Sequence, residues 1–343
     1  MMKTRHINIP IFIPHLGCPN DCVFCNQRYI SGVKEFEADS VIPIIESSLQ
    51  TMPNDADAEI AFFGGSFTGI DRDLMKKLLS IANSYLIQGR IKSIRCSTRP
   101  DYINDEVLRL LKEYGVKTIE LGLQSTSDDV LSACHRGHSF SDTKKACIKI
   151  KEYGFALGCQ MMIGLPGASP EDEAKTAEFI TSIKADETRI YPTIVFKNTE
   201  LCRMAENKAY IPLSIDEAVI RSAKVFEIFI LGGVKVLRVG LCDSENLHSD
   251  STYFAGPNHP AIGDLVEGEY YYNLIDRKLS DLNISKQCGL TIAVARGHTS
   301  RVVGQHKKNK IRLTKKYGFS SLSVTENEAI KEYDVLFDLE ERK

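Results

Sequence analysis

The chain has 343 residues, 43% of them apolar and 26% charged, which is the balance of an ordinary water-soluble globule with length to bury a sizeable core. Its formal net charge of −2 excludes a polyanion binder that works through bulk charge, and no apolar run is long enough to span a bilayer, so no membrane partner is expected. The start, MMKTRHINIPIFIPHLGC, lacks the pattern of an export signal, so a cytoplasmic location is expected, where ten cysteines point to metal or burial rather than disulfides.

From the amino end, apolar runs at 7–13, 59–63, 91–96, 118–122, 156–162 and 187–191 read as strands. Helical patterns lie between them and after the fifth, at 40–52, 72–86, 104–114, 141–153 and 170–184; in the first, Ile42, Ile45 and Leu49 share one face. Strands alternating with helices imply βαβ units and a parallel sheet. The fold class is therefore α/β: a partial (β/α)6 barrel, an open relative of the eightfold TIM barrel, with its chemistry on the loops after the strand carboxyl ends. Residues 193–283 extend this body through a helix at 214–230, a strand at 235–239 and a helix at 268–282. The remainder changes character: a strand at 289–295, a basic helical stretch and a strand at 319–324 predict a small α+β module. The chain is read as two units, residues 1–284 and 285–343.

Directly after the first strand comes GCPNDCVFCNQR, which sets Cys18, Cys22 and Cys25 at C-x3-C-x2-C. Thiolates are the usual ligands of iron–sulfur clusters, and three of them can hold three corners of a cubane while the fourth iron stays open. A zinc site wants a fourth nearby ligand, for which His15 is the close candidate, and plain buried thiols are the third possibility. The loops after the later strands are also polar. FFGGSFTG places Gly64 and Gly65 where backbone could approach a ligand, or where a tight strand-to-helix turn needs them. CSTRPDY carries Ser97, ELGLQST carries Gln124, HRGH carries Arg136 twelve residues later, and CQMMIGLPG carries Gln160 before a turn at 164–167. Such residues are either satisfied core polars or ligand contacts. The other seven cysteines show no paired short spacing and read as small buried hydrophobes.

The triplet, with Phe24 before its last cysteine, resembles the signature of the radical S-adenosylmethionine (SAM) superfamily. That resemblance implies a 4Fe–4S cluster on Cys18, Cys22 and Cys25, whose open iron chelates SAM and whose electron releases a 5′-deoxyadenosyl radical. It further implies that Gly64 and Gly65, with Ser66 where an acid is common, meet the methionine amino group. Arg136, with Gln124, then suits the methionine carboxylate, Ser97 and Gln160 are ribose candidates, and the turn at 164–167 is near adenine. An electron donor such as ferredoxin or flavodoxin is implied as well.

FFGGSFTGI, STRPDYI, ELGLQS, RGH, MMIGLPG, RIYPT and the pattern around YIPLSIDEAV together resemble the radical domain of the elongator catalytic subunit family, from about residue 5 to 275. Those proteins modify uridine at the tRNA wobble position. Their acetyltransferase domain has no counterpart in the short stretch that follows, which leaves the acetyl chemistry open. Oxygen-independent coproporphyrinogen oxidases, which act on a tetrapyrrole, have a similar barrel and a similar Gln–Arg spacing.

From 296 to 316 the chain reads RGHTSRVVGQHKKNKIRLTKK, a run with eight Lys or Arg and no acid. Such a field attracts phosphates, although a charge run is usually a solvated helix face. VVGQHKKNKI is similar to the phosphate-clamping loop of KH modules, with that loop's second glycine absent. Arg301, Lys307, Lys308, Lys310 and Arg312 are the RNA-contact candidates. The reading is a radical SAM enzyme acting on RNA, in the first place tRNA. The alternatives are the same chemistry on a small molecule such as a tetrapyrrole, and a non-enzymatic RNA-binding iron–sulfur sensor. No catalytic residue is singled out.

Overall fold

The computed structural model describes residues 6–13, 16–18, 22–25, 36–53, 55–241, 251–282 and 288–340. His15, Cys242 and the expected boundary near residue 284 lie outside these.

Strands β1 (His6–Ile13), β2 (Asp57–Gly64), β3 (Ser93–Thr98), β4 (Val116–Gln124), β5 (Ala156–Ile163) and β6 (Glu187–Pro192) pair in chain order, all parallel. After the two-residue β7 (Val195–Phe196), β8 (Lys235–Val239) adds a seventh parallel strand beside β6. The strand expected at 235–239 thus belongs to the main sheet, which carries one strand more than the six repeats counted from the sequence. The long crossovers are α1 (Val41–Thr51), α2 (Arg72–Ile87), α3 (Asp105–Glu113), the short α4 (Asp128–Ala133) with α5 (Phe140–Glu152), and α6 (Pro170–Ser182). The short α7 (Glu200–Glu206) and the long α8 (Ile215–Gly232) lie between β7 and β8. Their starts are written in the sequence: Ser139 with Asp142, Ser169 with Asp172, and Ser214 with Glu217 form reciprocal capping boxes on α5, α6 and α8.

The sheet is curled. Neighbouring strands lie about 4.8 Å apart, so β3 and β6 would stand roughly 14 Å apart in a flat sheet. Yet Arg95 on β3 donates to Glu187 on β6 at 2.6 Å, and the Arg189 guanidinium on β6 lies 5.6 Å from the Phe63 ring centre on β2. Outside the curl, the strands' Ile60, Ile94, Ile119, Leu157 and Ile190 are fully buried in one cluster with Leu78, Leu108, Ile150 and Ile180 of the helices. Inside it, the strands carry charge, and the carboxyl ends open into the site described below.

The carboxyl-terminal part follows β9 (Tyr253–Ala255), which pairs with β7, and α9 (Ile262–Ser280). Here β10 (Gly289–Val294) is the centre of a separate three-stranded sheet, parallel to β11 (Ser321–Glu326) and antiparallel to β12 (Val335–Glu340), with α10 (Thr299–Val303) and α11 (Lys308–Tyr317) between β10 and β11. Leu290 and Ile292 join the buried cluster of Tyr271, Ile275 and Leu279 on α9. Gly268, where the sequence reading started this helix, lies inside it: its bare Cα lets the C-terminal segment approach, and Asn309 donates to its carbonyl at 2.7 Å.

Candidate functional site

An open cavity of about 480 Å³ lies at the carboxyl ends of the strands. It brings together Cys18, Cys22 and Cys25 with Gly64, Gly65, Ser97, Gln124, Arg136 and Gln160, residues scattered over five loops and strand ends in the sequence. Ser66 is the exception. It is fully buried, absent from the lining, and its hydroxyl is spent on Thr98 Oγ1 at 2.9 Å and the Arg99 amide at 3.2 Å.

The cysteine loop rests on elements the sequence reading did not foresee. Val23 is buried in a second apolar cluster with Val130 of α4, Leu201 and Cys202 of α7, and Tyr210. Its amide donates to the Cys134 carbonyl at 3.2 Å, its carbonyl accepts from Leu201, and Cys25 closes a turn onto the Cys22 carbonyl at 2.9 Å. On the other side, Gly17 has a φ of +74°, and a Cβ there would strike the Ser66 carbonyl oxygen at 2.4 Å. Gly64 is as constrained: its φ is +111° and a Cβ would lie 2.2 Å from the Ile13 carbonyl oxygen. Only glycine permits this meeting of the first two strand-end loops.

Arg136 is buried and donates to Cys22 Sγ at 3.3 Å and to the Gly122 carbonyl at 2.6 Å. Arg99 also lines the cavity, grips Asp101 through two bonds of 2.9 Å, and donates to the Arg136 carbonyl at 2.6 Å. Burial pushes the Cys18 thiol up, and the charge of Arg99, then that of Arg136, opposes it. Gln124 has a φ of +64°, rare for a non-glycine residue, and its Oε1 has no partner among the described residues although it is buried. Ser97 Oγ is likewise unpaired and buried at the cavity wall. Strained backbone and orphaned polar atoms facing one cavity are the marks of a ligand site.

Beneath the cavity lies a charge network absent from the sequence reading. Arg95 donates to Glu59, Glu120 and Glu187, and Glu120 accepts from Arg189 at 2.8 Å and from Gln160. The signal was present: a charged residue in the middle of an otherwise apolar strand, as in IRCS, IELG and TRIY. Arg99, Arg136 and Arg189 line the cavity, and no carboxylate does among the described residues.

Residues 12–180 match the radical SAM superfamily and residues 185–272 match the Radical_SAM C-terminal domain. The chain belongs to the radical SAM superfamily. It is 34% identical over 133 residues to tRNA uridine(34) acetyltransferase of Methanocaldococcus infernus, covering 38% of this chain and 25% of that protein. It is 25% identical over 231 residues to heme chaperone HemW of Bacillus subtilis, covering 63% and 57%. Its fold matches that of archaeal Elp3 from Methanocaldococcus infernus with a TM-score of 0.63 and 21% identity, over 80% of this chain and 63% of that one. The matched region spans less than two thirds of each of these proteins.

The superfamily uses a 4Fe–4S cluster and SAM, and the residues present fit both. Three thiols, the usual ligands of such a cluster, line one cavity together with the unpaired Gln124 Oε1 and Ser97 Oγ. Cys18, Cys22 and Cys25, which line the cavity together, would hold the cluster. Bound there, the cluster would supply the electron for cleaving the sulfonium bond of SAM. The protein's own share is to hold and orient. Arg136 steadies Cys22 and brings positive charge for a carboxylate, Gln124 and Ser97 offer unpaired polar atoms, and Phe12, Phe24 and Phe63 make the lining predominantly apolar.

The basic run divides once folded. Arg301 pairs with Asp264 and Glu267, Lys308 with Asp216, Arg312 with Glu269, and Lys316 with Asp276. These cations bind the module to α8 and α9. Lys307, Lys310 and Lys315 have no ion pair among the described residues. Cys96, Cys134, Cys147, Cys159, Cys202 and Cys288 are buried, as expected of small hydrophobes.

Proposed function

We propose that this chain is a radical SAM enzyme that modifies RNA, with tRNA the favoured substrate and residues 285–343 its RNA-binding module. The observation that carries the reading is one cavity where the cysteine triplet meets three arginines and, among the described residues, no carboxylate, on a chain that shares sequence with a tRNA uridine(34) acetyltransferase. Lys307, Lys310 and Lys315 supply cations not consumed by internal pairing. The thiolate-held cluster suits the reducing cytoplasm, and a one-electron donor such as ferredoxin or flavodoxin reduces it. The non-enzymatic sensor has no use for unpaired polar groups around a second ligand's place.

The test is a tRNA titration at several salt concentrations with cluster-loaded protein and with a variant carrying Lys307→Glu, Lys310→Glu and Lys315→Glu. Neutralising phosphates releases counterions, so the variant should bind more weakly and with a salt slope flatter by roughly one for each phosphate no longer neutralised. Mass spectrometry of tRNA nucleosides from a deletion strain then identifies the product. Equal affinity and slope would move the small-molecule reading to first place. That second reading is favoured by Phe12, Phe24 and Phe63, a lining suited to a flat ring system, and by the match to a heme chaperone.

A further inference from the structure

Gln160 and Arg189 are partners in register on adjacent strands β5 and β6, and both face the cavity. They converge on a single atom: Glu120 Oε1 accepts from Gln160 Nε2 and from Arg189 Nε, the latter at 2.8 Å. A carboxylate oxygen only accepts, so the Gln160 amide must turn its NH2 to Glu120 and its carbonyl away. Arg189 spends Nε on Glu120, which leaves its two terminal amino groups without a protein partner among the described residues. Its guanidinium reaches across the curl to lie 5.6 Å from the Phe63 ring centre. Glu120 is itself fixed from behind by Arg95 at 3.2 Å and is 1% exposed. The result is a rigid pair that presents N–H donors beside a carbonyl acceptor at the cavity wall. Carboxylate groups, as on a tetrapyrrole, would engage only the donors.

We propose that Arg189 and Gln160, aligned by Glu120, are the specificity-determining pair of the substrate pocket and read a planar group that presents a carbonyl oxygen beside an N–H, the imide edge of uracil. Arg189 donates to the carbonyl oxygen and Gln160 accepts from the imide N–H. Phe12, 44% exposed at the open β1 edge and next to Phe63 in register, gives an incoming ring an apolar surface to slide along. This assignment rests on the RNA reading above and gives Gln160 a substrate role in place of the ribose contact expected from the sequence.

The test measures binding of two anticodon stem-loop RNAs to anaerobic, cluster-loaded protein, one with uridine at the wobble position and one with N3-methyluridine, which lacks the donor. The parent should prefer uridine by about tenfold or more, as expected when a built polar site loses its partner. Arg189→Lys keeps a charge beside Glu120 but loses the fork, and Gln160→Leu loses the acceptor; each should reduce the preference to about twofold or less, with iron content as the check on folding. A parent that binds both RNAs equally, or folded variants that keep the preference, would overturn the pair's role and leave the RNA reading standing. A parent that binds neither RNA overturns the RNA reading and this assignment with it.

Discussion

Arg136 Nη1 donates to Cys22 Sγ at 3.3 Å, so a residue twelve positions beyond the end of β4 holds the middle cysteine of the triplet. The same guanidinium is anchored on the Gly122 carbonyl at 2.6 Å, and Gly122 itself has no side chain to displace it. The cysteine loop is therefore positioned from β4 as well as by its own turn.

Arg136→Ala should loosen the cluster as well as weaken SAM binding. A hydrogen bond from a charged donor is worth about 1.5–3 kcal/mol, which corresponds to roughly tenfold or more in retention of iron against a chelator. The measurement is iron loss from reconstituted protein over time. Retention equal to the parent's would assign Arg136 to the SAM carboxylate alone.

Glu120→Gln should destabilise the barrel. Glu120 serves Arg95, Arg189 and Gln160 at 1% exposure, and removing one partner of a buried ion pair costs about 3–5 kcal/mol. Urea unfolding should show a clearly lower midpoint with an unchanged slope. An unaltered midpoint would mean the network is bathed by water and contributes little.

The order of the first six strands and the meeting of most called site residues in one cavity were legible in the sequence for a physical reason. Parallel strands are buried on both faces and read as apolar runs, and capping serines such as Ser139, Ser169 and Ser214 mark where helices begin. Strand ends then have to converge, which is why Cys22, Gln124 and Arg136 meet. Glu120 and Arg189 stand out as charges inside apolar strands, but their roles were missed because their partners sit on other strands, which residue order does not pair. Ser66 follows the cavity glycines in sequence, but its hydroxyl turns toward Thr98, and a rotamer choice of that kind leaves no trace in residue order. The pairing of Arg312 with Glu269 depends on how the module docks, which charge counting along the chain does not resolve.

His138 should make the fold acid-sensitive in a defined window. Burial first, then the charges of Arg136 and Arg99, hold its pKa down to about 4, against 6.5 ordinarily. The unfolded chain therefore binds a proton that the folded one refuses, so stability is full above about pH 6.5 and falls as pH drops toward 4, by at most roughly 3 kcal/mol. His138→Gln should remove that part of the pH dependence of urea unfolding. A variant whose stability falls as steeply as the parent's between pH 6.5 and 4 would show that His138 is not the group responsible.

Arg312 should matter for stability rather than for RNA, although the sequence places it in the basic run. Its guanidinium donates to Glu269 at 2.6 Å and lies 3.5 Å from the Tyr272 ring centre, so it is both paired and stacked on α9. A partly exposed ion pair contributes about 0.2–1 kcal/mol and a cation–π contact about 0.5–2 kcal/mol. Arg312→Ala should therefore lower the unfolding free energy by roughly 1–2 kcal/mol. Lys310, two positions away and without an ion pair among the described residues, has no such anchor to lose, so Lys310→Ala should leave stability within about 0.5 kcal/mol. In the tRNA titration the order should reverse, with the lysine change flattening the salt slope and the arginine change leaving it as in the parent. If Arg312→Ala flattened the slope instead, the pair with Glu269 would have to open when RNA binds, and the basic run would act as one surface rather than as two sets of cations with different tasks.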